Sequence, residues 1–282
     1  MPRRWTTYAL VVTALVALAC EGTGRRSASS STPPARADLP SSMAALGDSI
    51  TAGYGSCLTL VACRRNSWST GDGIRVRSHY HRIVELNPAM RGNAHNYAFP
   101  GARAADLRAQ AEAAVRDKVE YVTVLIGAND ACRQRIEDMT PVDEFRAHID
   151  RALEVLRTGL PRARVLVVSI PNLYRLWQVG HTDDRAVRAW SRGICPALLA
   201  EPRSTAAEDV ARRTAFRKRV AAYNAELAAA CRAYGSRCRY DGGAVHRARF
   251  DLTMLNPLDY FHPNREGQNA LADVTYRAAR LP

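Results

Sequence analysis

Short apolar segments recur along the chain and are separated by longer stretches with a mixed pattern. Because their hydrophobic residues are consecutive rather than alternating, each segment is typical of a strand buried on both faces, as in a parallel sheet. The two strongest segments are rich in β-branched residues and stop at Gly127 and Pro171. The pattern predicts five strands: Met43–Leu46, Ala94–Ala98, Tyr121–Ile126, Val165–Ile170 and Cys238–Tyr240.

Helical patterns lie between and after these strands. They cover residues 104–119, 141–158 and 216–231, and Gly235 can end the third of these helices. Asn264 can cap a last helix. Because strands and helices alternate, the pattern predicts one α/β domain with right-handed crossovers over residues 43–282.

The N-terminus has the pattern of an export signal. Two arginines precede an apolar run, Tyr8–Ala19, that is too short to span a bilayer comfortably. We expect residues 1–19 to be a signal peptide. The small residues before Cys20 resemble a bacterial lipobox, in which that cysteine receives lipid, whereas an ordinary secretory cleavage would leave it unmodified. Residues 20–42 have almost no large apolar side chains, which predicts a flexible tether.

Composition and charge narrow the class of protein. The 282 residues are 47% hydrophobic and 24% charged, as expected for a globular chain rather than a disordered one. The formal net charge of +13 fits either a solvated arginine-rich surface or attraction to anionic lipid or cell wall. Since no basic run is interleaved with aromatic residues, nucleic acid is not an expected partner.

Polar motifs follow three of the predicted strands, and a fourth motif precedes the last helix. They are Gly47-Asp48-Ser49, Pro100-Gly101, Asn129-Asp130 and Asp259-Tyr260-Phe261-His262. In an open parallel sheet, ligands bind just beyond the carboxyl ends of the strands. We therefore expect these motifs to converge on a single site.

In this order and at these positions, the motifs resemble those of the SGNH hydrolase superfamily, also called GDSL esterases and lipases. The resemblance covers nearly the whole domain and implies a flavodoxin-like, three-layer α/β/α sandwich with a five-stranded parallel sheet. It also implies that Ser49 is the nucleophile, that His262 is the general base and that Asp259 orients it. The backbone N–H groups of Ser49 and Gly101 and the side-chain amide of Asn129 are the expected oxyanion hole.

The chemistry of ester hydrolysis requires the same kinds of residue. A serine hydroxyl is a poor nucleophile at neutral pH and needs a base such as histidine, whose pKa lies near that pH. Asp259 and His262 are three residues apart, so a tight turn can bring their side chains together. Asp48 and Asp130 are expected to hold loop backbones by hydrogen bonds. No spacing of cysteine and histidine predicts a metal site, and no cofactor is expected.

Cysteine usage suits an exported chain. Setting aside Cys20 leaves six of the seven cysteines, an even number that can pair fully. Several pairings are open. Joining nearest neighbours in the sequence gives Cys57–Cys63, Cys132–Cys195 and Cys231–Cys238.

The segment from Asn172 to about Glu208 is a long insertion between two predicted elements. It carries many apolar side chains, among them Leu173, Leu176 and Trp177. We expect these side chains either to line an acyl pocket or to act as a lid. The alternative is a helical cap that only covers the sheet.

The sequence predicts an exported serine esterase or lipase that acts, as a monomer, on a lipid or another acylated small molecule. Membrane attachment through Cys20 is part of this prediction. A carbohydrate acetyl esterase is the main alternative, because the superfamily includes both kinds of enzyme. A non-catalytic lipid- or wall-binding lipoprotein is a third hypothesis, and it is disfavoured because every catalytic position is filled. The acyl length, the alcohol moiety and the physiological substrate are left open by the sequence.

Overall fold

A five-stranded parallel sheet forms the centre of the domain. The computed structural model describes residues 36, 38–57 and 59–281. The strands lie in the order β2-β1-β3-β4-β5, and every neighbouring pair is parallel. This order is that of flavodoxin-like folds, as predicted. The strands are β1 (Met43–Gly47), β2 (Ala94–Asn96), β3 (Tyr121–Leu125), β4 (Arg164–Val167) and β5 (Cys238–Tyr240).

Helices connect the strands and fill the long loops. Short 3-10 turns cover Arg64–Asn66, Pro88–Met90, Ala104–Asp106 and Leu252–Met254. Within the described part of the chain, no helix combines the length and hydrophobicity that crossing a bilayer requires. The α-helices are α1 (His79–Leu86), α2 (Leu107–Arg116), α3 (Ala128–Ala131), α4 (Val142–Gly159), α5 (Leu173–Gly180), α6 (Asp184–Trp190), α7 (Pro196–Leu199), α8 (Ala207–Tyr234), α9 (Ala244–Arg247) and α10 (Arg265–Ala279).

Two hydrophobic cores cover the two faces of the sheet. Successive side chains of a strand point to opposite faces, so Val122 and Val124 of β3 belong to one core and Tyr121 and Leu125 to the other. Helices α2, α4 and α8 contribute to the first core, and α1 and α10 contribute to the second. The result is the predicted three-layer α/β/α sandwich.

All five predicted strands are present, and their ends differ by up to three residues from the predicted ones. The largest difference is at β4, which ends at Val167 although the apolar run continues to Ile170. Val168 still donates its N–H to the carbonyl of Val124, at 2.8 Å. Beyond it, the Ile170 N–H donates to the side chain of Asn224, at 2.8 Å, instead of to a neighbouring strand. A side chain that is remote in the sequence thus replaces the end of the ladder.

The predicted helices are present with different limits. The segment predicted as 104–119 begins as a 3-10 turn, and its α-helix ends at Arg116. The third predicted helix starts at Ala207 rather than near residue 216. The earlier start was not predicted because the first turns of this helix are mostly exposed and lack the apolar repeat. Asn264 caps α10, since its side chain accepts the Gly267 N–H at 3.0 Å. Helix α1 was not predicted; it has eight residues, and few of them are buried.

The folded domain begins before Met43. This corrects the prediction that residues as far as 42 form a flexible tether. Leu39 is only 4% exposed. The Asn87 side chain donates to the carbonyls of Leu39 and Pro40, both at 3.1 Å. Residues 39–42 therefore belong to the domain. The predicted signal peptide and Cys20 lie outside the described residues.

The cysteines form the disulfides expected from nearest-neighbour pairing. These are Cys57–Cys63, Cys132–Cys195 and Cys231–Cys238. The second joins the residue after α3 to the residue before α7, across 63 positions of sequence. It therefore ties the loop after β3 to the insertion after β4.

Candidate active site

The loop after β1 is held so that Ser49 lies at the carboxyl edge of the sheet. Gly47 has φ +150°, and a Cβ there would lie 2.2 Å from the carbonyl oxygen of Leu125, so only glycine fits. Buried Gln110 accepts the Gly47 N–H at 2.7 Å and donates to its carbonyl at 3.0 Å. Both hydrogen bonds fix the backbone two residues before Ser49.

Two buried acids hold the loops that carry Ser49 and Asn129. Asp48 Oδ1 accepts the Ile50 N–H at 2.9 Å, while its Oδ2 has no hydrogen-bond partner among the described residues. Burial, with the nearby Asp130 carboxylate, raises the pKa of Asp48 to about 7. Asp130 accepts from the Ala104 N–H at 3.0 Å and from the Thr140 hydroxyl at 2.9 Å. These contacts agree with the backbone-holding role predicted for both acids.

The loop before α10 is closed by Asn256. Its N–H donates to the His262 carbonyl at 2.8 Å, and Leu255 and Pro263 form an antiparallel bridge. The Asn256 amide also donates to the carbonyl of Gly55, at 2.6 Å. This loop is therefore joined to the segment that follows Ser49 in the chain.

A continuous line of hydrogen bonds runs through the centre of the site. Asp259 Oδ2 lies 2.7 Å from His262 Nδ1, and His262 Nε2 lies 2.9 Å from Ser49 Oγ. The other oxygen of Asp259 accepts the N–H groups of Phe261 and His262, at 2.9 and 3.1 Å. These two backbone contacts fix the Asp259 carboxylate, and since Asp259 is only 4% exposed, it is also screened from water. This is the geometry that activation of a serine hydroxyl by histidine requires.

Gly101 and Asn129 lie in neighbouring loops of the same edge. The Asn129 side-chain amide donates to the carbonyl of Ala102, the residue after Gly101, at 2.9 Å. Gly101 has φ +85°, and a Cβ there would meet no atom within 4 Å, so the backbone conformation is what favours glycine. Within the described chain, the N–H groups of Ser49 and Gly101 donate to no protein acceptor. Both remain available to a substrate oxygen.

Several residues that contact the His262 loop were not predicted from the sequence. The Tyr54 ring packs against the His262 ring, with 4.6 Å between centroids. The Trp190 indole N–H donates to the carbonyl of Tyr260, at 3.1 Å, so α6 contacts the loop between Asp259 and His262. Only Asn256 carried a local signal, because Asn-Pro dipeptides mark turns. Contacts such as that of Trp190 have no counterpart in local sequence.

An apolar cleft lies beside the chain neighbours of the Ser–His pair, although neither Ser49 nor His262 lines it. Ile50 follows Ser49 and Phe261 precedes His262, and both line the cleft. Leu173 and Leu176 of the insertion line it too. The rest of its lining is formed by Pro171, Asn172, Arg175, Ala248, Phe250, Leu255, Pro263 and Leu271.

Trp177 of the insertion does not reach this cleft. Its indole N–H donates to the carbonyl of Pro202 at 2.8 Å, and the Arg213 guanidinium lies 4.7 Å from its ring centroid. Trp177 therefore packs the insertion against α8.

The other histidines lie apart from this site. His79 is fully buried between the hydroxyls of Tyr121, at 3.0 Å, and Thr275, at 2.8 Å, and burial lowers its pKa to about 3. His148 has a carboxylate neighbour in Glu144, on a helix surface. Over the residues that the structure describes, no group of three or more histidines, cysteines or acids could hold a metal ion.

Comparison with known sequences places these residues in a family. Residues 45–270 match the model of the GDSL-like lipase/acylhydrolase family. Membrane-associated phospholipase B1 from Homo sapiens is 32% identical over 193 residues, which are 55% of this chain and 13% of that protein. The Rattus norvegicus protein of the same name is 29% identical over 191 residues. The chain thus spans about an eighth of the length of these relatives.

Solved structures show the same fold at low sequence identity. A protein described as a GDSL-like lipase from Parabacteroides merdae has a TM-score of 0.56 at 14% identity, over 88% of this chain and 98% of that one. An acetyl-xylooligosaccharide esterase from Geobacillus has a TM-score of 0.53 at 15% identity, over 86% and 94%. The predicted superfamily and enzyme class are confirmed by the match to the family model. The chain belongs to the GDSL-like lipase/acylhydrolase family of carboxylic ester hydrolases.

Proposed function

We propose that this protein hydrolyses acyl esters through a Ser49–His262–Asp259 triad. The observation that carries the proposal is the unbroken line of hydrogen bonds from the Asp259 carboxylate through His262 to the Ser49 hydroxyl. His262 takes the proton as Ser49 Oγ attacks the ester carbonyl, and it returns the proton to the departing alcohol. A water molecule, activated by the same imidazole, then releases the acid from the acyl-enzyme.

The oxyanion of each tetrahedral intermediate needs donors that face it. We assign this role to the N–H groups of Ser49 and Gly101 and to the amide of Asn129. The Asn129 amide has two hydrogens and uses one on the Ala102 carbonyl, which leaves the second for the substrate. Loss of one such donor typically lowers kcat by about 10²–10³.

The apolar cleft supports an acyl group longer than acetyl as the substrate's acid half. A cleft lined by Ile50, Leu173, Leu176 and Phe261 adds binding energy for each methylene that it buries. An acetyl group is too short to use such a lining. The proposed substrates are therefore lipid-like esters rather than acetylated sugars.

The direct test is the change Ser49→Ala. We expect kcat for p-nitrophenyl butyrate and octanoate to fall by at least about 10⁴-fold, because the variant has no nucleophile. Ser191→Ala, at an exposed serine after α6, is the matched control and should retain the parent rate. Equal rates in Ser49→Ala and the parent would refute the triad. Release of acetate from acetylated glycans, with no activity on longer esters, would contradict lipid-like esters as the substrate class and favour acetylated sugars.

We also propose that the protein is exported and carries lipid on Cys20. Three disulfides support export, because such bonds persist in oxidising compartments. Mass spectrometry of the mature N-terminus tests both parts. A diacylglyceryl-modified Cys20 at the first position is expected. An unmodified Cys20, or an uncleaved Met1, would contradict the lipoprotein assignment.

A further inference from the structure

A cluster of cationic side chains lies at the edge of the sheet where the strands begin. Two adjoining clefts open there and share Arg164 and Arg237. One is lined by Lys118 and Arg162, and the other by Arg239 and Arg280. We call these six side chains the basic face: Lys118, Arg162, Arg164, Arg237, Arg239 and Arg280.

Among the described residues, the cationic side chains of the basic face outnumber the acids that line its clefts. Across the described residues, none of its six side chains forms an ion pair with a carboxylate. Two acids line the same clefts, and both have other partners. Asp38 pairs with Arg36 at 2.8 Å, and Glu120 accepts the N–H and hydroxyl of Ser41, at 2.7 and 3.0 Å. Arg237 and Arg239 also donate to the backbone carbonyls of Arg162, at 3.1 Å, and Ala278, at 2.6 Å, which are uncharged acceptors. The remaining guanidinium N–H groups are left for an anionic ligand.

The chain enters the domain at this face. Asp38, Leu39 and Pro40 line one of the two clefts, directly before β1. A tether that leads back to Cys20 therefore joins the domain beside the basic face. Ser49 follows the opposite end of β1, and a five-residue strand spans roughly 17 Å. The basic face and the reacting serine thus lie at opposite edges of the sheet.

We propose that the basic face binds the anionic surface of a lipid bilayer and turns the Ser49 edge away from that surface. Arginine suits lipid phosphates because its planar fork donates two parallel hydrogen bonds to their oxygens. Attraction to an anionic leaflet adds for each cationic side chain that comes within a Debye length of it. Substrate would then reach Ser49 from the surrounding medium rather than from the bound bilayer. This inference does not depend on the proposed ester hydrolysis.

The test is vesicle co-sedimentation of the exported full-length protein that carries Cys20→Ser, so that no attached lipid contributes. Vesicles of phosphatidylcholine with 30% phosphatidylglycerol are compared with pure phosphatidylcholine at low and at 0.5 M salt. We expect binding only to the anionic vesicles, and loss of that binding in high salt. The triple change Arg162→Gln, Arg164→Gln and Arg237→Gln should weaken binding by about a hundredfold, or roughly 1 kcal/mol for each arginine.

A second triple variant separates the basic face from net charge. Arg188→Gln, Arg192→Gln and Arg249→Gln change exposed arginines away from this edge and remove the same charge. We expect this variant to lose less than fivefold in affinity, and both variants to keep the parent's thermal unfolding midpoint within a few degrees. Equal losses in the two variants, or no binding of the parent to anionic vesicles, would overturn the proposal. Complete displacement by soluble polyphosphate at equal phosphate concentration would also overturn it, in favour of a soluble polyanion.

Discussion

At the scale of single residues, buried polar side chains determine how Ser49 and His262 are held. Gln110, Asp48 and Asn256 each bind the backbone of a loop that carries Ser49 or His262. Such contacts are effective because a buried donor or acceptor that loses its partner costs about 1–3 kcal/mol. Asp48 is unusual among these residues, since one of its carboxyl oxygens is buried without a hydrogen-bond partner among the described residues.

Asp48 should make stability depend on pH. Its pKa is raised from 3.8 to about 7, so folding favours the neutral form. The stabilisation is fully present below about pH 4 and is lost as pH rises through about 7. In Asp48→Asn the side chain is neutral at every pH. We therefore expect the free energy of unfolding of the parent to fall between pH 5 and 8 by on the order of 2 kcal/mol more than that of the variant.

Urea unfolding at pH 5, 6, 7 and 8 measures this difference. Asp72→Asn, at an exposed carboxylate, is the matched control and should follow the parent curve. Parallel curves for the parent and Asp48→Asn would mean that Asp48 is ionised in the folded protein throughout this range.

At the scale of elements, the insertion α5–α7 forms a fixed wall of the site. Trp190 of α6 donates to the loop that carries His262, and Cys195, before α7, is bonded to Cys132. Arg212 of α8 donates to the carbonyls of Pro196, Ala197 and Ala200 around α7. These contacts favour a packed layer over a lid. Two leucines of α5 also line the apolar cleft.

The wall should set the preferred acyl length. Leu176→Ala enlarges the cleft, and Leu176→Phe fills it. The measured quantity is kcat/KM for p-nitrophenyl octanoate divided by kcat/KM for p-nitrophenyl butyrate. We expect this ratio to rise about tenfold in Leu176→Ala and to fall about tenfold in Leu176→Phe. The reason is that one methylene contributes about 1–3 kcal/mol to binding in an apolar pocket. Val187→Ala on α6, which does not line the cleft, is the control. A ratio that stays constant in all three variants would leave α5 with a packing role only.

At the scale of the whole molecule, two disulfides close loops of very different length. Cys132–Cys195 closes a loop of 63 positions, and Cys231–Cys238 closes one of 7. A longer loop restricts the unfolded chain more, so the first bond should contribute more to stability.

Paired alanine variants measure this contribution. Cys132→Ala with Cys195→Ala should lower the free energy of unfolding by about 4 kcal/mol, and Cys231→Ala with Cys238→Ala by about 2.5 kcal/mol. Urea titration under non-reducing conditions gives both values. A larger loss in the second pair would show that contacts in the folded protein, and not loop closure, dominate.

The apolar pattern predicted the strands well because a central parallel strand is buried on both faces, whatever surrounds it. It failed where burial is local and small: in α1 only His79 and Ile83 are fully buried. The end of β4 could not be predicted either, since Asn224 competes for the Ile170 N–H from 54 residues away. The motif spacing pointed to Ser49, Asp259 and His262 as site residues, whereas the contacts of Tyr54 with His262 and of Trp190 with Tyr260 have no local signal.

The sequence by itself determined the alternation of strands and helices and the order of the polar motifs, and it gave nearest-neighbour cysteine pairing as one of several possibilities. Each of these depends on short-range patterns of hydrophobicity, chain stiffness or spacing. Only the tertiary structure decided which loops are in contact, that Asp48 is buried and that the basic face carries cationic side chains without a carboxylate partner among the described residues. Those properties depend on distances between residues that are remote in the chain. The burial of a side chain and the electrostatic potential around it depend on every residue that the fold brings near it.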